Sequence, residues 1–303
     1  MNEFQIGGTV LLSLATFGLF GNVNIVVATL RKKHLRSKSG ILICLLAVYD
    51  FVCLSFEMAS GARMISGVLL NRQTCFKINI AYFCIQMISA STVIGLALDR
   101  LMAVSFPIWY IKHHLIYTVL ISTVPGALFS TAFTILGLIS MDEENATRPA
   151  CTTGNLLPRW IQKYANWTLV SMNSLVVVVY ISAYIVLYLM RRRALQNTEL
   201  RVSLKSQERA MKSITAFLAV FIGSWFLSKA EQTFLVPLDD SQSIVLHVIK
   251  ATVLIPVMVS YSQCYYILFW RSTEYREAFI EQLKCQLNVK LKRSRQKSSI
   301  TAF

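Results

Sequence analysis

Charge is what this chain has least of. Aspartate, glutamate, lysine and arginine make up only 15% of its 303 residues, against 55% hydrophobic. A soluble domain of that length needs many more charges to cover its surface, so that class is excluded. Histidine is scarcer still: His34, His113, His114 and His247 all fall in loops or at the ends of apolar stretches. They supply neither a metal cluster nor a nucleophile–base pair within an apolar span, so no metal site and no enzyme activity is expected. The two halves share no inverted or parallel repeat, and a transporter built on repeats finds no support. A secretory signal with a small-residue cleavage site is also missing, so the first apolar stretch is expected to remain as an anchor. The net charge of +15 suggests nucleic acid at first sight. The basic residues, however, lie in short runs between apolar stretches, as in loops facing an anionic leaflet, and no nucleic-acid partner is expected.

Apolar length is what the chain has most of. Seven stretches can cross a bilayer: Gly8–Leu30, Lys38–Ser60, Thr74–Val104, Leu115–Leu138, Trp167–Met190, Met211–Leu235 and Ile244–Trp270. Of the 30 basic residues, 22 fall on one side of this arrangement: five after the first stretch, two after the third, seven between the fifth and sixth, and eight in the tail. The short amino terminus has none. Positive residues stay inside, so the amino terminus is expected outside and the tail in the cytoplasm. Asn145-Ala146-Thr147 is a glycosylation sequon in the loop thus placed outside. A second sequon, at Asn166, abuts a span. After the seventh stretch, Tyr275, Phe279, Ile280 and Leu283 share a helical face, with Arg276, Glu281 and Lys284 interspersed. That pattern reads as an amphipathic helix on the inner membrane surface. Cys285 at its far end is either a palmitoylation site or an unmodified thiol.

Cys75 precedes Arg100 by a helical rise of roughly 37 Å, a hydrocarbon core plus one headgroup layer. A cysteine suited to a disulfide thus lies at one face and the Asp99-Arg100 pair at the other. The run Asp99-Arg100-Leu101-Met102-Ala103-Val104-Ser105-Phe106-Pro107 resembles the D-R-x-x-A-V-x-x-P signature of rhodopsin-like G-protein-coupled receptors. Gly21-Asn22 resembles that family's G-N pair, Leu46-Ala47-Val48-Tyr49-Asp50 its L-A-x-x-D, and Phe221-Ile222-Gly223-Ser224-Trp225 its F-x-x-C-W. Arg36 through Ala47 and Phe269 through Arg276 resemble the nematode serpentine chemoreceptors of class Srsx.

The resemblance implies an all-α membrane protein: a seven-transmembrane helix bundle over residues 1–270, then an amphipathic helix and basic tail over 271–303. It implies a plasma-membrane receptor that couples an extracellular small molecule or short peptide to a heterotrimeric G protein, in a chemosensory role. Asp99 and Arg100 would form the cytoplasmic latch. Asp50 and Ser89 would hold a sodium ion, with Asn22, Phe221 and Trp225 in the activation relay. A mid-bilayer carboxylate such as Asp50 costs several kcal/mol unless neutral, paired or hydrated. Cys75 and Cys151 both fall on the oxidising side, and in the family that bridge ties the third helix to the second outer loop. Closing so long a loop contributes about 4 kcal/mol in the chain-entropy model. Cys44, Cys53, Cys84 and Cys264 lie within spans and read as apolar packing.

Departures accompany the likeness. The sixth span has Leu227 where the family has proline, the fourth lacks its tryptophan, and the fifth has no proline. Cys264-Tyr265-Tyr266-Ile267-Leu268 stands where N-P-x-x-Y belongs. A non-signalling decoy receptor, or a heptahelical ligand-gated channel or transporter, therefore stays open as an alternative. Tyr82 stands where monoamine receptors place an aspartate, so a cationic amine lacks its usual partner. Tyr82 and Gln86 share one face of the third helix, and Trp225 and Lys229 one face of the sixth; facing each other, they would line an amphipathic pocket with Glu57. Lys229 either anchors an acidic ligand group, or snorkels or pairs with Glu57 or Glu231.

Overall fold

The computed structural model describes residues 3–68, 70–140, 147–148, 156–193, 211, 214–228 and 255–284, nearly all helical. α1 spans Glu3–Arg31, α2 Lys38–Ser66, α3 Arg72–Ser105, α4 Pro107–Lys112, α5 Leu115–Ile139 and α6 Arg159–Arg193. α7 is Ile214–Ser228, α8 is Ile255–Arg271 and α9 covers residues 273–284. Among the described residues five helices, α1, α2, α3, α5 and α6, are long and apolar enough to cross a membrane. α7 lies inside the expected sixth span, and α8 occupies the inner part of the seventh.

Several helices outrun the apolar stretches that announce them, because caps rather than hydropathy end them. The Ser37 side chain accepts the Gly40 amide at 3.2 Å and starts α2. At the other end Gly67 adopts φ +67°, a left-handed conformation glycine takes without steric cost, and ends α2 at Ser66, six residues beyond the expected stop at Ser60. The Asn71 side chain accepts the Thr74 amide at 2.8 Å and begins α3 at Arg72. α1 starts at Glu3. α6 begins at Arg159, eight residues before Trp167: the Pro158 carbonyl takes the Gln162 amide at 2.9 Å, and the Gln162 side chain accepts the Leu157 amide at 3.3 Å. A helix outside the hydrocarbon needs no apolar run, so hydropathy does not see this turn. It also places the Asn166 sequon within a helix, where Thr168 bonds back to the Tyr164 carbonyl at 3.0 Å.

α3 is the centre of the bundle, packed against α2, α5 and α6; α1 packs on α2 and α8. No residue from Tyr82 to Ser105 is exposed. α5 meets α3 through small residues, Ser122, Gly126, Ser130 and Gly137. A Cβ on Gly126 would lie 2.6 Å from the Met87 carbonyl oxygen, so the two backbones touch. The opposite face of α5 exposes Leu120, Ile121, Leu128, Ile135 and Ile139. A continuous apolar face of this kind belongs in lipid.

Three apolar clusters fill the interior. One occupies the inner half and includes Ile25, Leu46, Leu96, Leu218 and Phe279. A second joins Phe83, Met87, Leu169 and Trp225 on the α6–α7 side. The third joins Leu11, Leu54, Tyr82, Met258 and Tyr261 on the α1–α2–α8 side. Between α2 and α3, Leu70–Asn71 (β1) pairs antiparallel with Thr147–Arg148 (β2), Leu70 opposite Arg148. This brings Thr147–Arg148 beside the amino-terminal end of α3.

Candidate functional site

At the carboxy-terminal end of α3, Arg100 turns its guanidinium onto its neighbour. Nε and Nη2 donate to Asp99 Oδ2 at 3.1 and 2.5 Å, and Nη2 also donates to the Ser39 hydroxyl of α2. The Asp99 side chain is fully covered. Its second oxygen accepts the Tyr110 hydroxyl of α4 at 2.8 Å. Burial, and then the charge on Asp99, push the Tyr110 hydroxyl well above the ordinary tyrosine range, so it remains a donor. Lys38 closes the ring: its ammonium lies 4.1 Å from the centre of the Tyr110 ring and donates to the Tyr110 carbonyl. Three helices therefore converge on one ion pair. The Tyr180 hydroxyl of α6, which interacts electrostatically with Arg100, donates to the Met211 carbonyl at 2.6 Å and meets Thr215 at 2.8 Å.

At mid-bundle, Asp50, Ser89 and Asn22 are all buried. Asn22 donates to the Tyr261 carbonyl of α8 at 3.0 Å, and its own oxygen has no partner among the described residues. The adjoining Gly21 makes this approach feasible, since a Cβ there would lie 2.7 Å from that of Tyr265. Among the described residues no hydrogen bond joins Asp50 to Ser89 or Asn22. Asp50 interacts electrostatically with Cys53, Tyr261 and Cys264. Phe221 stacks on Phe217 with ring centres 6.0 Å apart, and Trp225 meets Phe226 edge-on at 5.4 Å.

In the outer half, Tyr82 donates to Glu57 Oε1 at 2.5 Å, and Gln86 donates to the Tyr261 hydroxyl at 3.1 Å. Phe56 stacks on Tyr82, centres 5.9 Å apart. Tyr82 thus faces α2 and α8, whereas Trp225 packs with Phe83 and Met87 on the other flank of α3. Tyr82 and Trp225 thus lie in separate apolar clusters. Cys75 is disulfide-bonded, while Cys44, Cys53, Cys84 and Cys264 are free thiols. Lys229, Cys151, Asn145 and Cys285 lie outside the described residues.

The tail helix is turned relative to expectation. Tyr275, Ala278, Phe279 and Gln282 are buried, while Ile280 is exposed and Leu283 half-buried. Phe279 packs 4.5 Å from the Tyr265 ring, so the face meets the bundle rather than lipid. Lys32 bonds Glu281 at 2.5 Å and holds its carboxyl below the usual range.

Sequence reasoning missed Ser39, Tyr110 and Tyr261. Tyr110 carries a weak signal, three residues past the proline that ends the motif; the other two have none, since only helix packing brings them in.

Two comparisons bear on this arrangement. The model of a protein family described as serpentine type 7TM GPCR chemoreceptor Srsx matches residues 15–283. No curated protein matches the chain.

Proposed function

The chain belongs to the Srsx family of serpentine seven-transmembrane chemoreceptors, and from that membership we propose that it is a G-protein-coupled sensory receptor whose switch is the Asp99–Arg100 pair. It is a multi-pass membrane protein. The observation that carries the reading is the fully covered Asp99, held on one side by Arg100 and on the other by Tyr110. A charged pair bonded to two other helices stabilises the arrangement that makes those bonds. A ligand that favours the opposite arrangement frees Arg100 to face the G protein. The amino terminus lies outside and the tail in the cytoplasm, at the plasma membrane.

The remaining parts follow from the same reading. The ligand is an extracellular small molecule or short peptide. Cys75 pairs with Cys151, three residues past the strand beside α3. Asn145 carries glycan, and Cys285 carries a palmitoyl chain in contact with membrane lipid. Asp50, Ser89 and the free oxygen of Asn22 supply oxygen donors, which suit a hard cation such as sodium.

The experiment is nucleotide exchange by a heterotrimeric G protein on the full chain in lipid. Asp99→Asn should raise ligand-free exchange, and Arg100→Ala should abolish evoked exchange at normal surface expression. Normal signalling by Arg100→Ala would refute the switch. A ligand-evoked current without G protein would favour a channel, and binding with neither response a decoy.

A further inference from the structure

Glu57 is 3% exposed, yet among the described residues only one of its carboxylate oxygens is bonded. Tyr82 donates to Oε1 at 2.5 Å, the short end of what a hydroxyl gives a charged carboxylate. Oε2 is buried and has no hydrogen-bond partner among the described residues, which do not include Lys229. An acceptor left in this state is costly, because a charged group has been taken out of water and its bonds have not been replaced. The nearest cation on the same helix, Arg63, interacts with Glu57 electrostatically but spends its Nη2 on Ser60 at 2.8 Å. Gln86 directs its amide nitrogen to Tyr261 instead. Around the carboxylate stand the rings of Phe56, Tyr82 and Tyr261, whose faces attract cations. Glu57 lies nine residues, or roughly 13 Å, inside the outer end of α2. Tyr82 lies about 10 Å inside Cys75 by the same rise, so the two meet at one depth.

Resting on the receptor reading above, we propose that the free oxygen of Glu57 receives the cationic nitrogen of the ligand, so that this receptor takes organic ammonium compounds. The carboxylate comes from α2 and is oriented by Tyr82, the residue that stands where monoamine receptors carry their own acid. The charge the sequence fails to place on α3 is thus supplied by the neighbouring helix and presented through the α3 tyrosine.

The test is thermal unfolding of the purified full chain in lipid with three probes of one shape: phenethylammonium, phenethyl alcohol and phenylacetate. A ligand that binds only the folded state raises its melting temperature with concentration. Phenethylammonium should stabilise at concentrations at least tenfold below those the alcohol needs, and phenylacetate should be weakest. Glu57→Gln should bring the amine and the alcohol within threefold of each other. Tyr82→Phe, which keeps the ring and its stacking, should weaken the amine at least threefold and the alcohol not at all. It also serves as the test should Glu57→Gln not fold. Equal effects of the three probes, no effect of any, preference for the acid, or an amine preference that survives in Glu57→Gln or is untouched in Tyr82→Phe would each overturn the proposal. The receptor reading is judged separately. If the amine preference depends on Glu57 but no G protein exchanges nucleotide, that reading falls and the site stands; if Arg100→Ala silences a receptor indifferent to amines, the reverse holds.

Discussion

Replacing Tyr110 by phenylalanine removes one atom from the inner network and leaves the ring that Lys38 covers at 4.1 Å. What is lost is a hydroxyl bonded at 2.8 Å to a fully buried carboxylate. A hydrogen bond to a charged group contributes about 1.5–3 kcal/mol. If that bond exists only in the resting arrangement, its loss shifts the ratio of active to resting receptor by roughly ten- to hundredfold, at one decade per 1.4 kcal/mol. A receptor with about 1% of its population active at rest would then hold about 10–50% in the active state. The assay is ligand-free nucleotide exchange by G protein, normalised to receptor number, comparing wild type, Tyr110→Phe and Asp99→Asn. The tyrosine variant should rise at least fivefold. Because Tyr110 and Asp99 act through one bond, the double variant should rise no further than Asp99→Asn alone. A basal rate within twofold of wild type, at equal surface expression, would show that the Tyr110 bond persists in both states and is no part of the switch.

Three further outcomes are expected. Thiol mapping of surface-expressed protein should find Cys75 and Cys151 both blocked and joined, and a carboxy-terminal tag should be silent on intact cells; a free Cys151, or a readable tag, would overturn the corresponding assignment. Glu281 is held below its ordinary 4.5 by the hydrogen bond and charge of Lys32, so the contribution of that pair is complete above pH 4.5 and lost as pH falls through the lower value in the folded protein. Acid unfolding of the full chain should therefore lose one proton-linked step in Lys32→Met, and an unchanged profile would show the pair to be neutral for stability.

Much of the fold was legible because lipid makes hydropathy a direct record of burial. The limits of α5 agree with the sequence to one residue at its inner and outer ends. α2 and α6 overran theirs, because Gly67 and Pro158 act through backbone geometry that hydropathy does not weigh. The face argument for the pocket was weaker at α3. Spacing correctly set Tyr82 and Gln86 on one face, but a helix buried all round has more than one face toward the interior. Tyr82 could therefore turn to Glu57 while Phe83 and Met87 met Trp225. In α9 the period was right and the phase was not, since Gln282 rather than Leu283 completes the buried stripe. Asp99 and Arg100 were visible as neighbours, whereas Ser39, 61 positions from Arg100, became a partner only through packing.

The contact between α5 and α3 has a consequence for how mutations distribute. Specification in α5 is concentrated at four small side chains, Ser122, Gly126, Ser130 and Gly137. Even one methyl at Gly126 would meet the α3 backbone and force the helices apart. At Leu128, Ile135 or Ile139 any apolar side chain reaches the same lipid, and exchange there is close to neutral. A saturation library of α5 should accordingly divide in two, with intolerance at roughly every fourth position and near-free exchange among hydrophobics elsewhere. A helix of this kind can drift far in sequence without changing where it stands.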